Sequence, residues 1–212
     1  MPEKIMHYAN FNVTFGPNDE PMLTHFADIV FPAFLEKDFR RVNSGGMASF
    51  YVSDVEIKEI NDEYVLVGNY IKDTQYNVLT TIQDGKLVDS PQKVPTAPYS
   101  RFIIFLKNHK MILIRNEGKS PDVRSFQVTV NKMLHHYVRQ HTLKEENKNQ
   151  RLPYAFVNIV DIPLPNDIEE VLKTIKQVKK LRMKFFPLNN DINPELIARG
   201  IDEQMKKTGN LV

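Results

Sequence analysis

Three of the chain's six histidines, His135, His136 and His141, fall within seven positions, with Arg139 among them. No other stretch concentrates groups that titrate near neutral pH, so general acid–base work or metal ligation would start here. A helical two-histidine metal site needs both rings on one face, four positions apart. His135 and His136 are adjacent and diverge by about 100° around a helix. At the four-residue spacing His135 meets Arg139 and His136 meets Gln140. No metal site is therefore expected. Val123, Phe126, Val130, Leu134 and Tyr137 define the apolar face of this helix, and His135, His136 and Arg139 fall opposite, near Arg124 and Lys132. A solvated surface is the simpler reading of that side, and an anion-binding face is the functional one.

A second concentration is basic. From Val171 to Asn190 there is no acidic residue, but there are Lys173, Lys176, Lys179, Lys180, Arg182 and Lys184. Lysines near a helix C-terminus are favoured by the helix dipole, so such a run also arises without a ligand. Its functional reading is a surface that tracks phosphates and positions nucleic acid without reading sequence. The strand Leu181–Phe186 lacks the aromatic pattern of an RNA-recognition module. A third candidate is Asp54-Val55-Glu56-Ile57-Lys58, where Glu-x-Lys on a strand matches the metal-binding end of some nuclease cores. Glu117-Gly118-Lys119 and Glu146-Asn147-Lys148 fit the same spacing, so a polar strand face accounts for it better. There is no P-loop, no G-x-G-x-x-G, no H-E-x-x-H and no G-x-S-x-G. Phosphate cradles, dinucleotide sites, zinc peptidase sites and nucleophile elbows therefore have no sequence support.

The elements that must position these groups follow from periodicity and turn chemistry. Ala9, Phe11, Val13 and Phe15 alternate with Asn10, Asn12 and Thr14, which predicts a half-buried strand. Met22–Phe39 has helical spacing, with Pro32 expected to kink or split it. Between Ala48 and Arg115 the short β-rich runs Phe50–Ile60, Tyr64–Ile71, Tyr76–Gln83, Lys86–Val88, Arg101–Lys107 and Lys110–Arg115 follow one another, with Asn61-Asp62, Asp84-Gly85 and Asn108-His109 as turn signals, which predicts sequential hairpins. Pro91, Pro95 and Pro98 mark an irregular or edge connection. Ser120-Pro121-Asp122 opens the histidine-bearing helix, with Ser120 or Asp122 as its cap. Lys144–Arg151 reads as a solvated linker. Beyond it, Ala155–Ile162 is a strand, Asn166 caps a helix, Leu181–Phe186 is a strand and Asn193-Pro194 begins a last helix. A strand–helix–strand unit suggests a parallel pair with a right-handed crossover.

Composition limits the classes. The 212 residues are 42% hydrophobic and 25% charged, which is ordinary for a globular protein. The net charge of +2 supplies no global field, so any electrostatic footprint is local. The absence of cysteine removes disulfides, thiolate catalysis, zinc ribbons and iron–sulfur clusters, and suits a reducing compartment. MPEKIMHYAN has no apolar signal core, and no apolar run approaches the ~20 residues of a membrane helix. A cytoplasmic location without membrane attachment is expected. Asn210-Leu211-Val212 has the texture of another strand, as in a domain cut from a longer protein.

Tyr99-Ser100-Arg101-Phe102 through Asn108-His109-Lys110, then Arg115 and Ser120-Pro121, resembles a group of poorly characterised bacterial proteins from phage-defence and abortive-infection loci. The resemblance spans Met47–His141 and includes the strand LVGNYIKDT. It implies a protein of bacterial or phage conflict, and carries over no catalytic motif.

These readings combine into an α+β expectation: a mostly antiparallel sheet with flanking helices over 1–145, and a βαβα unit over 152–212. The expected function is a non-catalytic binding module without a cofactor. It favours nucleic acid through Lys176, Lys180, Arg182 and Lys184, with Arg124 and Arg139. The competing readings are a nuclease or other phosphoester hydrolase, using His135 or His136 or else Glu56 and Lys58, and a protein-only adaptor or sensor in a larger assembly.

Overall fold

In the computed structural model, residues 4–144 and 151–163 are described, together with Lys173. The predicted helix from Pro165, the strand Leu181–Phe186 and the last helix lie outside them.

The described residues build one antiparallel sheet that curls into a half-barrel. Its strands are β1 (Met6–Phe15), β2 (Glu20–Pro21), β3 (Arg41–Val42), β4 (Ala48–Ile60), β5 (Glu63–Gln83), β6 (Lys86–Thr96), β7 (Tyr99–Phe105), β8 (Lys110–Arg115) and β9 (Ala155–Asp161). The path β2-β1-β8-β7-β5-β4-β3 carries β9 against β1 and β6 against β5. Two helices join the strands: a short α1 (Phe31–Leu35) and a long α2 (Val123–Leu143). The architecture is α+β.

Local chemistry makes the turns. Asn61 and Asp62 both have positive φ (50° and 62°), as do Asp84 and Gly85 (47° and 73°). Paired positive φ marks the hairpin turn that Asn, Asp and Gly tolerate. Pro32 lies in the first turn of α1, where its missing N–H costs nothing. The chain before it runs as a 3-10 turn (Met22–His25) and a wider π-type turn (Phe26–Val30), so the expected helix is split. Asp122 caps α2, accepting a hydrogen bond from the Ser125 amide at 2.8 Å. Ser120 instead accepts one from the Glu117 amide.

Cross-strand register gathers the core onto the concave face. Phe11 pairs with Ile159, Ala9 with Met111, Leu113 with Phe102, and Ile104 with Leu66. Helix α2 lies in that concavity through Phe126, Val130, Met133 and Leu134, all fully buried. The Phe126 ring centroid sits 5.2 Å from those of both Tyr70 and Phe102, and 6.4 Å from that of Phe11. After the polar linker, β9 runs antiparallel to β1 over Ala9–Phe15. Strand β9 thus extends the same sheet and closes the flank of α2.

One feature departs from the sequence reading. Tyr64–Ile71 and Tyr76–Gln83 are one unbroken strand, β5. Its first half pairs with β4 and β7, and its second half pairs with β6 alone. The polar Lys72-Asp73-Thr74-Gln75 is not a turn. It marks where the strand leaves the core and enters water.

Gly68 shows how tight the core is. A Cβ there would lie 2.6 Å from Phe102 Cζ and 3.1 Å from the Ser53 carbonyl oxygen. Phe102 is wedged between Phe34 and Phe126, so any shift to make room would disturb both contacts. Gly68→Ala should therefore destabilise by about 1–3 kcal/mol through overpacking. Urea denaturation would measure it, and an unchanged midpoint would show that Phe102 can move.

Candidate functional site

The face of α2 turned away from the core is the place to assemble a site. Its exposed residues Arg124, Lys132 and Arg139 fall within about 80° of one another around the helix. Arg124 and Arg139 are separated by about 22 Å along the axis at the rise of an α-helix. They form an exposed basic stripe, not one converging pocket. Lys176, Lys180, Arg182 and Lys184 lie outside the described residues.

Beside the N-terminal half of α2, on the side turned to the sheet and not on the stripe, the structure adds a cation that sequence reading missed. Arg41, on β3, reaches α2 with its guanidinium. Its Nε donates to Thr129 Oγ1 and its Nη2 to Ser125 Oγ, each at 2.8 Å, with Tyr70 Oη 3.5 Å from Nη2. The same group lies 4.0 Å above the Phe50 ring. Tyr70 Oη shares hydrogen bonds with Ser125 (2.8 Å) and Thr129 (2.7 Å). Burial pushes the Tyr70 hydroxyl up from its usual pKa, outweighing the opposing hydrogen bonds from Ser125, Thr129 and Arg41. It therefore stays a neutral phenol. Arg41 is thus held by three uncharged hydroxyls and an aromatic face, and among the described residues it has no carboxylate partner.

Other cations share this end. Lys72 pairs in register with Phe50, and Phe50 with Arg41, so all three stand on the concave face. Lys119, in the loop before α2, places its Nζ 3.7 Å above the Tyr76 ring. The first turn of α2 adds its partial positive charge, offset by the Asp122 cap. None of Arg41, Lys72, Lys119, Arg124, Lys132 and Arg139 is ion-paired among the described residues.

The histidines are less free than the helical wheel implied. His135 Nε2 lies 2.8 Å from the Ala155 carbonyl oxygen of β9, and its ring meets Tyr154 edge-on. His136 Nε2 lies 3.6 Å from Glu36 Oε1 beyond α1, and its ring packs against Phe39. Both are half-buried, on opposite flanks of α2, because a concave sheet covers the sides of a helix as well as its underside. They do not converge on a shared reacting atom.

The strand candidate is accounted for locally. Asp54, at φ 52°, sits in a β-bulge between Ser53 and Glu56, and its carboxylate accepts from Asn69 (2.7 Å) and Ser53 (3.0 Å). Glu56 and Lys58 pair with each other at 2.7 Å in water. That geometry anchors a bulge and does not aim two carboxylates at one ion.

Sequence reading also passed over His25. Its Nε2 is 2.7 Å from Glu20 Oε2 and its Nδ1 3.3 Å from Asp28 Oδ2, with Phe15 against the ring. The two carboxylates lie on opposite ring nitrogens, so they do not converge as metal ligands. Among the described residues no cluster of His, Asp and Glu is placed to hold a metal ion.

A family model described as a domain of unknown function, DUF4747, matches residues 4–211. The chain belongs to that family. No curated protein and no solved structure matches it. Among the described residues no helix is long and apolar enough to cross a membrane.

His25 gives a pH prediction. Burial lowers its pKa, but the hydrogen bonds and charges of Glu20 and Asp28 outweigh burial and raise it overall. A raised histidine stabilises fully below its unfolded value of about 6.5, and that contribution is lost as pH rises through the folded value. Wild-type stability should therefore fall between about pH 6 and pH 8, and His25→Gln should flatten that slope. Thermal melts across this range would show it. Equal slopes for the two proteins would remove His25 as the cause.

Proposed function

We propose that this chain is a non-catalytic, cytoplasmic binding module that grips the phosphate backbone of nucleic acid along the outer face of α2. Arg124, Lys132 and Arg139 form the track, and Arg41 and Lys72, on the concave face beside the N-terminal half of the helix, flank its start with Lys119. Lys176, Lys180, Arg182 and Lys184, which lie outside the described residues, are included as phosphate contacts on the strength of the sequence alone. The observation that carries this reading is the Arg41 guanidinium, half-buried and fixed in orientation without a carboxylate. Holding a cation away from water is costly unless something neutralises it, and a bound phosphate would do so. Arginine suits the role because its planar fork matches phosphate oxygens.

The spacing supports an extended ligand over a small one. About 22 Å between Arg124 and Arg139 corresponds to roughly six base pairs of duplex, so one backbone lying along α2 would pass both. The described residues of the track are cations, which position a phosphate backbone without carrying sequence information, and this supports binding without sequence preference. The resemblance to bacterial defence-associated proteins is compatible with such a role and supplies no substrate. The hydrolase reading has weaker support, because His135, His136, Glu56 and Lys58 are each engaged separately.

Binding of mixed-sequence DNA or RNA should be detectable at about 50 mM salt and weaken steeply as salt rises. Arg124→Glu, at an exposed position in the first turn of α2, should weaken binding without lowering the melting temperature. Arg124→Ala should reduce the salt slope by about one counterion. Fluorescence anisotropy against salt would measure both. No binding at about 50 mM salt, or a salt-independent affinity, would sink the proposal.

A further inference from the structure

Where a guanidinium is hydrogen-bonded among the described residues, it is held in one of two ways. Arg40 donates to the carbonyls of Lys37 and Phe39, and Arg115 to that of Gly118. Arg41 donates to side-chain hydroxyls alone. Those bonds engage its Nε and Nη2. Its Nη1 makes no hydrogen bond among the described residues and is not sealed from solvent. One edge of the planar fork is therefore anchored and its end is open. The Phe50 ring, 4.0 Å away, supports the flat side of the group.

Lys72 stands two strands from Arg41, with Phe50 between them in register. At about 4.8 Å per strand their Cα atoms are roughly 10 Å apart, short enough for two long side chains to meet one tetrahedral anion. Both residues are half-buried. Lys119, above the Tyr76 ring, lies further along the same face, because Tyr76 follows Lys72 and Thr74 at strand alternation. The carboxylate of Asp122 accepts from the Ser125 amide at 2.8 Å and forms no ion pair with these cations. Arg41 and Lys72 thus share one face with no acid paired to either among the described residues.

We infer that Arg41 and Lys72 form a discrete site for a phosphomonoester, either the terminal phosphate of a nucleic acid or a free one. The inference rests on the phosphate-binding reading above and adds to it a preference for ends. Charge and access select the ligand. A phosphomonoester carries about −1.5 to −2 at neutral pH, which two cations match. A backbone diester carries a single charge, as does a carboxylate. The open end of a guanidinium also suits phosphate oxygens geometrically. Ser125 and Thr129, which hold Arg41, lie about 100° and 140° round the helix from Arg124, on the flank facing β3. The site therefore borders the track without lying in line with it. A diester bound between sheet and helix needs an exit for its chain on both sides, whereas a monoester needs one.

Two measurements on the full chain test this. Phosphorus NMR should show inorganic phosphate binding in the millimolar range, undisplaced by acetate at equal ionic strength. Lys72→Gln should weaken that binding about tenfold, the worth of one charge-assisted contact. Arg41→Lys should do the same by removing the fork. Because Arg41 also ties β3 to α2, Lys72→Gln is the deciding variant, with circular dichroism and melting temperature showing that it folds. Anisotropy would then compare one short oligonucleotide with a 5′-phosphate, a 3′-phosphate or hydroxyls at both ends. A phosphorylated end should bind about tenfold tighter. Lys72→Gln should bring that ratio to one, and Arg124→Ala should weaken every form while keeping the ratio. Phosphate binding with no gain from a phosphorylated end assigns the site to free phosphomonoesters. If no oligonucleotide binds, the backbone track fails, and the phosphate measurement still decides the site. No phosphate binding, displacement by acetate, or binding indifferent to Lys72→Gln overturns the inference.

Discussion

The whole molecule depends on filling the hollow of a half-barrel. A curled antiparallel sheet has a concave face too deep for its own side chains to close, so something must be laid into it. Helix α2 is that filler, and Phe126 is its deepest point, in contact with aromatic rings from β1, β5 and β7. Fully burying one such side chain contributes on the order of 1.5–3 kcal/mol, and the cluster shares Phe126 as its common member. The strand after the linker then seals one flank, and β3 with α1 seals the other. What remains of α2 in water is a narrow strip, and that strip holds Arg124, Lys132 and Arg139, none of them ion-paired among the described residues.

Arg41 joins the fold to the candidate site. It ties the edge strand β3 to the helix through Ser125 and Thr129, so it is structural. It also presents a charge that nothing described neutralises. Tyr70 connects the two roles, because its ring packs in the core against Phe126 while its hydroxyl orients the hydroxyls that hold the guanidinium. The site's geometry is therefore fixed by the same aromatic cluster that fixes the helix.

Where local chemistry decided the structure, the sequence was legible. Asn61-Asp62 and Asp84-Gly85 turn because those residues tolerate positive φ, and the alternation from Ala9 to Phe15 reports one buried face. The α+β class followed from such signals. Continuity of β5 was not legible, because Lys72–Gln75 is polar for lack of cover and reads like a loop. The histidines were misplaced for a related reason: a wheel drawn on an isolated helix has one buried side, whereas a helix in a trough has three. Arg41 carried no local signal at all. Its partners are 84 and 88 positions away in sequence, and only the closed sheet brings them together.

Strand β5 has one more consequence. It runs from the packed interior to the tip of the two-stranded arm that it forms with β6 beyond Thr74, with one register shift near Leu79. Its register is pinned inside by Gly68 under Phe102 and by the bulge at Asp54. The arm is accordingly a lever clamped at one end. A load applied at Ile82 and Leu87 is borne by the hydrogen-bond ladders around Lys72 and Tyr70, beside Arg41. The arm's one register shift lies near Leu79, outside the body, so the stretch from Tyr70 to Tyr76 is laddered without a break.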